Sequence, residues 1–409
     1  MNDIQASVRN AVSKSEFIAL IAMMFATIAF SMDAMLPALP EIGDELSPEN
    51  LNRAQLILTS FVLGMGIGTF VTGPLSDAFG RKPVVYGGAV LFILACLVAW
   101  RSSSLELVLA ARVIQGMAAA APRVVGLAII RDMFAGREMA KIMSLAMMVF
   151  TIFPAIAPLI GSGIIGLIGW RGIFLAFILF SLISVSWLAI RLPETHPAAN
   201  RRPFRFPLLV DAARQILSNP IVRLSILVQT LCLGILFAML SMVQPIYDVI
   251  FDRADEFPFW FFLIALISGT GSIVNAALVV RVGMRRMIAW SLGLQIIVST
   301  AMLLVSFGLT PTTSYFYLFI AYQTCAFFMA GTTLGNINSI AMEPMGHIAG
   351  MAGSLIGGIS TVAAAALGGG IGQLFNGTLV PLAGGITVMS ILAFALMLYM
   401  GRLESRSII

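Results

Sequence analysis

A chain of 409 residues that is 59% hydrophobic and only 11% charged lies far outside soluble domains, where charged residues make up about 25%. The 24 lysines and arginines against 19 aspartates and glutamates leave a net charge of +5, and three cysteines with two histidines give neither a disulfide framework nor a zinc site. This composition excludes a soluble protein and requires an integral membrane one.

A hydrocarbon core of ~30 Å takes ~20 apolar residues per helix. The first run, Phe17 to Leu39, follows a short polar segment but contains Asp33 and leads into "LPALPEIG" instead of a small-residue cleavage site, so it is read as a span and not as a signal peptide. Ala54 to Ser76, Pro83 to Trp100, Leu107 to Ile130, Ile142 to Trp170 and Gly172 to Ile190 are the next five. A polar segment follows, "LPETHPAANRRPFRFPLLVDAARQILS" at 192–218, rich in proline and arginine, with an amphipathic tail suited to a membrane surface. Leu224 to Tyr247 and Phe257 to Val280 are single passes. Met287 to Met342 and Pro344 to Gly401 are too long for one pass, and each contains turn punctuation, "FGLTPTTS" at 307–314 and "NGTLVPLAGG" at 376–385. The count is twelve, so the expected fold is an all-α membrane protein of two six-helix bundles, 1–191 and 219–409, joined by the linker 192–218.

An internal repeat supports that division. "GPLSDAFGRKPVV" follows span two and "NAALVVRVGMRRMI" follows span eight, so that Gly80-Arg-Lys has a counterpart in Gly283-Met-Arg-Arg about half a chain later. With the N-terminus inside, the cytoplasmic loops collect Arg81, Lys82, Arg131, Arg137, Lys141, Arg191 and the linker arginines, whereas Arg53, Arg101, Arg171 and Arg253 fall outside. Both termini are therefore expected in the cytoplasm. The positive charge is explained by this loop set and implies no nucleic-acid partner.

Charge inside the spans carries the functional signal. Asp33, in "FSMDAMLPALP", is the acidic residue placed within a hydrocarbon span. A carboxylate there faces a cavity, pairs with a base or moves protons; the alternative is that Asp33 is interfacial, some six residues before Leu39. Span four has Arg112 and Arg123 eleven residues apart, which at 100° per residue brings them within ~20° of one face, with Gln115 beside Arg112. Arg112 and Asp33 each lie ~9 Å from the same membrane side, so they can pair or share a hydrated cavity. One acid does not neutralise two cations, so Arg123 is a candidate to bind an anionic group on a ligand, and Asp33, Arg112, Gln115 and Arg123 together are the candidates to line a substrate cavity. A purely structural ion pair is the alternative. Pro154 and Pro158, followed by Gly161 in "FPAIAPLIGSGIIG", look like a built-in bend of span five. Gln244, Asn336 and Asn338 are polar residues in apolar spans, each either a ligand contact or a bond between helices.

These segments resemble the major facilitator superfamily. "GPLSDAFGRK" is similar to its loop signature Gly-x-Leu-x-Asp-Arg-x-Gly-Arg-Lys, "RVIQG" to its span-four motif, "FPAIAPLIGS" to its antiporter motif, and "DAMLPALP" to the bicyclomycin/chloramphenicol-resistance branch of drug:proton antiporters; "IIRDMF" and "GHIAGMAGSLIGG" add to the likeness. The resemblance implies a monomeric exporter in a bacterial inner membrane, driven by protons without a cofactor. It implies that Asp33 carries the proton and that Arg112 couples it to a small-molecule substrate. It also implies a conformational latch built from Gly73, Asp77, Gly80, Arg81, Lys82 and Arg131, in which Asp77 engages Arg131 and the start of span eleven. Three departures stand out: Ala78 replaces the arginine after the loop aspartate, Ser162 the last glycine of the antiporter motif, and Leu127 an arginine late in span four.

No Walker loop, His-Glu-x-x-His or serine elbow is present, so an enzyme is not expected. An importer or uniporter on the same scaffold is the main rival, and a transporter-like sensor is a further one.

Overall fold

The computed structural model describes residues 12–201, 206–308 and 312–407. Among them there are twelve helices long and apolar enough to cross a membrane, and there is no strand. The turn expected at 307–314 lies partly outside the described residues, between Met284–Gly308 and Thr313–Met342.

The helices group into two compact units: Met1–Ala38 with Ser60–Pro207, and Leu39–Thr59 with Leu208–Ile409. Within the first, span one (Lys14–Asp33) packs on spans four (Leu105–Met133), five (Gly136–Ile168) and six (Gly172–Arg191), while span three (Arg81–Arg101) packs on four and six. Within the second, span seven (Pro220–Pro245) packs on spans ten (Thr313–Met342), eleven (Ala349–Gln373) and twelve (Val380–Ser407), and span nine (Met284–Gly308) on ten and twelve. Each pairing in the first unit recurs six spans later in the second, as duplication of one six-helix unit requires.

The repeat extends to single residues. Gly80 (φ 101°) and Gly283 (φ 89°) each form the one-residue turn between consecutive spans, a left-handed conformation that glycine alone adopts without strain. A Cβ on Gly161 would strike the backbone of Ala34 where span five crosses span one, and a Cβ on Gly368 would come within 2.7–2.9 Å of Phe237 and the Ala238 nitrogen where span eleven crosses span seven. Lipid gives helices no hydrophobic reason to associate, so backbone approach at small residues supplies the packing contacts instead.

Span one ends earlier than the sequence suggests. Its α-helix stops at Asp33, a 3-10 turn covers Leu36–Ala38, and a separate helix runs Leu39–Leu46. The cause is Pro37: it lacks the N–H that would bond to the Asp33 carbonyl four residues back. Asp33 thus stands at the broken end of a helix and not in its interior. Span five starts at Gly136, several residues before the first uncharged position, and stays helical through Pro154 and Pro158.

Residues 39–59 are fastened inside the second unit. Asn52 Nδ2 donates to the Phe375 carbonyl at 2.7 Å, and Gln373 Nε2 donates back to the Asn52 carbonyl at 2.7 Å. Gln55 lies against Gly372 on span eleven, and Thr59 against Gly369.

Candidate functional site

Arg112 and Asp33 come together where span one breaks. Arg112 is fully buried; its Nη1 donates to Gln115 Oε1 at 2.7 Å and its Nη2 to the Ser31 carbonyl at 2.9 Å, with the guanidinium 4.3 Å from the centre of the Phe61 ring. The fork therefore reaches across from span four to the C-terminal carbonyls of span one, where a cation also complements the helix dipole. Asp33, two residues past Ser31, is 1% exposed, and among the described residues its Oδ2 has no hydrogen-bond partner. Gln115 Nε2 is buried in the same state. At the depth expected for the pair, Arg112 meets the backbone beside Asp33 through the Ser31 carbonyl. Arg123 lies further along span four, partly exposed.

Gly161 belongs with this group for a reason other than a bend. It brings span five onto Ala34, the residue after Asp33, so the backbone that holds the carboxylate is gripped from two sides, by Arg112 at Ser31 and by Gly161 at Ala34.

The second-unit candidates separate. Gln244 is 3% exposed and sits one residue before Pro245 and the π turn Ile246–Ile250. Asn336 Nδ2 donates to Asn275 Oδ1 at 2.6 Å and to the Thr332 carbonyl at 2.9 Å, and the first of these joins span ten to span eight (Phe257–Val282). Asn338 is exposed, because two residues along a helix turn it to the far side. The structure does not bring these two asparagines together.

The opening between spans two (Leu56–Phe79) and three holds a dense polar cluster around Arg81, whose side chain is 7% exposed. Its Nη1 donates to Asp77 Oδ1 at 2.6 Å and to Ser76 Oγ at 2.8 Å, while Nε and Nη2 take both oxygens of Asp132 at 2.9 and 3.3 Å. Ser76 Oγ in turn donates to the Gly73 carbonyl at 2.9 Å. The expected partner of Asp77, Arg131, is exposed; Asp77 pairs with Arg81, and it is the next residue of span four, Asp132, that points inward. The reason is charge: the buried guanidinium of Arg81 is stabilised by carboxylate acceptors, and a second arginine there would repel it.

Besides Ser76 and Asp132, two linker members of this cluster escaped the sequence reading. Glu194 accepts the backbone N–H of Arg81 (Oε1, 2.9 Å), of Lys82 (Oε2, 2.9 Å) and of His196 (Oε1, 2.9 Å), so a carboxylate from the linker caps span three. Thr195 Oγ1 donates to Asp132 Oδ2 at 3.1 Å, and Lys82 Nζ donates to the carbonyls of Ala189 and Leu192 at 3.0 and 2.7 Å. Gly80 has no capping side chain, which was the available signal that an acceptor had to come from elsewhere.

Comparison with known proteins bears on what this arrangement serves. The family model of the Major Facilitator Superfamily matches residues 19–369. The bicyclomycin resistance protein homolog of Haemophilus influenzae is 29% identical over 93% of this chain and 96% of its own length, and a chloramphenicol resistance protein of Pseudomonas aeruginosa is 36% identical over 41% of this chain and 40% of its own. In structure, the human organic anion transporter MFSD10 covers 94% of this chain and 100% of its own with a TM-score of 0.67 at 17% identity, a likeness of fold. Relatives of this kind are transporters, not enzymes, and they fall in the bicyclomycin/chloramphenicol-resistance branch that the motifs resemble. With twelve spans, the duplicated six-helix packing and a family match over most of its length, this chain is a multi-pass membrane transporter of the major facilitator superfamily.

Proposed function

We propose that the transporter exports a small organic molecule, drug-like or anionic to zwitterionic, in exchange for protons by alternating access, with both termini in the cytoplasm of a bacterial cell and one chain as the working unit. Asp33 carries the proton, Arg112 and Gln115 position it, and Arg123 reads an acidic group on the substrate. The observation that carries this reading is a buried Asp33 oxygen without a hydrogen-bond partner among the described residues, beside a buried arginine anchored on the backbone two residues away. A carboxyl group at such a depth is paired, hydrated or protonated, and a ligand that changes its surroundings changes which of these holds. The drug-resistance names of its relatives favour export of drug-like compounds.

Proteoliposomes containing a pH-sensitive dye test this directly. Proton movement opposite to substrate, lost in Asp33→Asn while ligand binding persists, is the expected outcome. Movement in the same direction, or uphill transport retained by Asp33→Asn, would remove exchange or Asp33 from the mechanism.

A further inference from the structure

The short helix Phe206–Ser218 precedes span seven, and Asn219 alone separates the two. Asn219 caps the span, its Oδ1 accepting the N–H groups of Ile221 and Val222 at 2.9 and 3.3 Å, and Pro220 opens it. A helix joined through one residue to the first turn of a membrane span ends at the bilayer surface.

At 100° per residue the side chains of residues 210–217 that the structure describes fall into sectors. Ala212 and Ile216 are 3% and 0% exposed and dock on protein. Leu217 and Val210 come next around the helix and are left open, at 46% and 42%. Arg214 follows at their border, its side chain 79% exposed and 4.0 Å from Asp211 at the nearest approach. Asp211 and Gln215 complete the circle, both exposed. Open apolar groups bordered by an arginine, with acidic and neutral groups beyond, are the distribution of a helix lying in a lipid interface. Arg223, exposed in the first turn of span seven, adds a second cation at the same level.

We infer that the helix Phe206–Ser218 is a docking surface for anionic phospholipid, seating Leu217 and Val210 among the acyl chains and Arg214 on headgroup phosphate. Continuity with the span fixes the depth, and the exposed Arg214 at the apolar border, with Arg223 at the start of span seven, favours an anionic occupant. Each basic residue near an anionic surface contributes about 1 kcal/mol, or roughly fivefold in local lipid preference.

The test places a bimane fluorophore at Leu217→Cys in full-length protein with Cys325→Ser, reconstituted into vesicles. Quenching is read with doxyl-labelled phosphatidylcholine, doxyl-labelled phosphatidylglycerol and aqueous iodide, and folding is checked by unfolding midpoint. The expected result is strong quenching by lipid and weak quenching by iodide, with phosphatidylglycerol preferred. That preference should drop about fivefold in Arg214→Gln and hold in Gln215→Ala. Quenching by iodide and not by lipid would overturn the proposal and leave the face to water or a protein partner. Equal quenching by both lipids, unaffected by Arg214→Gln, would overturn headgroup recognition.

Discussion

Replacing Gly161 with alanine adds one carbon where span five crosses span one. That carbon would overlap the Ala34 carbonyl oxygen and stand 2.9 Å from its carbonyl carbon and 3.1 Å from its Cα. Carbons in contact settle at about 3.5–4.0 Å, so the two backbones must part by roughly 1 Å. Overpacking of this kind costs about 1–3 kcal/mol, against about 0.5–1 kcal/mol recovered from the better helix propensity of alanine. The larger effect is functional. Ala34 follows Asp33, and a misplacement of about 1 Å at a reacting group can cost about 100-fold in rate. Gly163 and Gly166 provide the controls, since a Cβ on either meets nothing within 4 Å on the same helix. Proton-coupled transport in proteoliposomes and unfolding midpoints in detergent, measured side by side, should show Gly161→Ala slowed by about two orders of magnitude and modestly destabilised, with Gly163→Ala near wild type. If the two variants behave alike, span five does not position Asp33.

The polar cluster yields a contrast: Arg81→Ala removes the buried guanidinium shared by Asp77 and Asp132, whose side chains are 55% and 21% exposed, and should cost about 1–3 kcal/mol, whereas Arg131→Ala should stay within about 0.5 kcal/mol, and thermal unfolding that ranks them the other way would restore Arg131 to the latch. Glu194→Ala removes the acceptor of three amides, two of them in this turn, so hydrogen exchange at Arg81 and Lys82 should quicken roughly tenfold, with Glu194→Gln intermediate; unchanged exchange would mean that the linker does not hold this turn. Asn336→Ala should lower stability by about 0.5–1 kcal/mol without altering substrate affinity, and Asn338→Ala should do neither, while a selective loss of affinity in Asn336→Ala would make it a ligand residue. Arg123→Ala should weaken transport of anionic compounds far more than of cationic ones, and a uniform loss across both would point to folding.

Individual residues show which features are local. Asp33 and Arg112 stand out because a charge among apolar residues is costly in a membrane, and their common depth follows from rise per residue. Gly80 and Gly283 announced the duplicated turn by position. Asp132, by contrast, sits beside Arg131 in "IIRDMF", and no rule of sequence says which of two adjacent charges on a helix turns inward. The resemblance pointed to the arginine; the buried fork of Arg81 selected the aspartate. Asn336 presented two readings, and the partner that decided between them, Asn275, lies on another span.

The amino-acid sequence by itself determined the membrane location, the number of spans and the family, because hydrocarbon thickness and the cost of buried charge act on each segment separately. Tertiary structure decided the rest. The break after Asp33 needed only Pro37, yet the groups gripping that break come from spans four and five, more than 70 residues away at Arg112 and further still at Gly161. The cap on span three likewise comes from Glu194, more than 100 residues from Arg81. Hydrogen bonds and backbone contacts of this kind depend on distances between helices, and periodicity along one helix does not encode which neighbour it will meet.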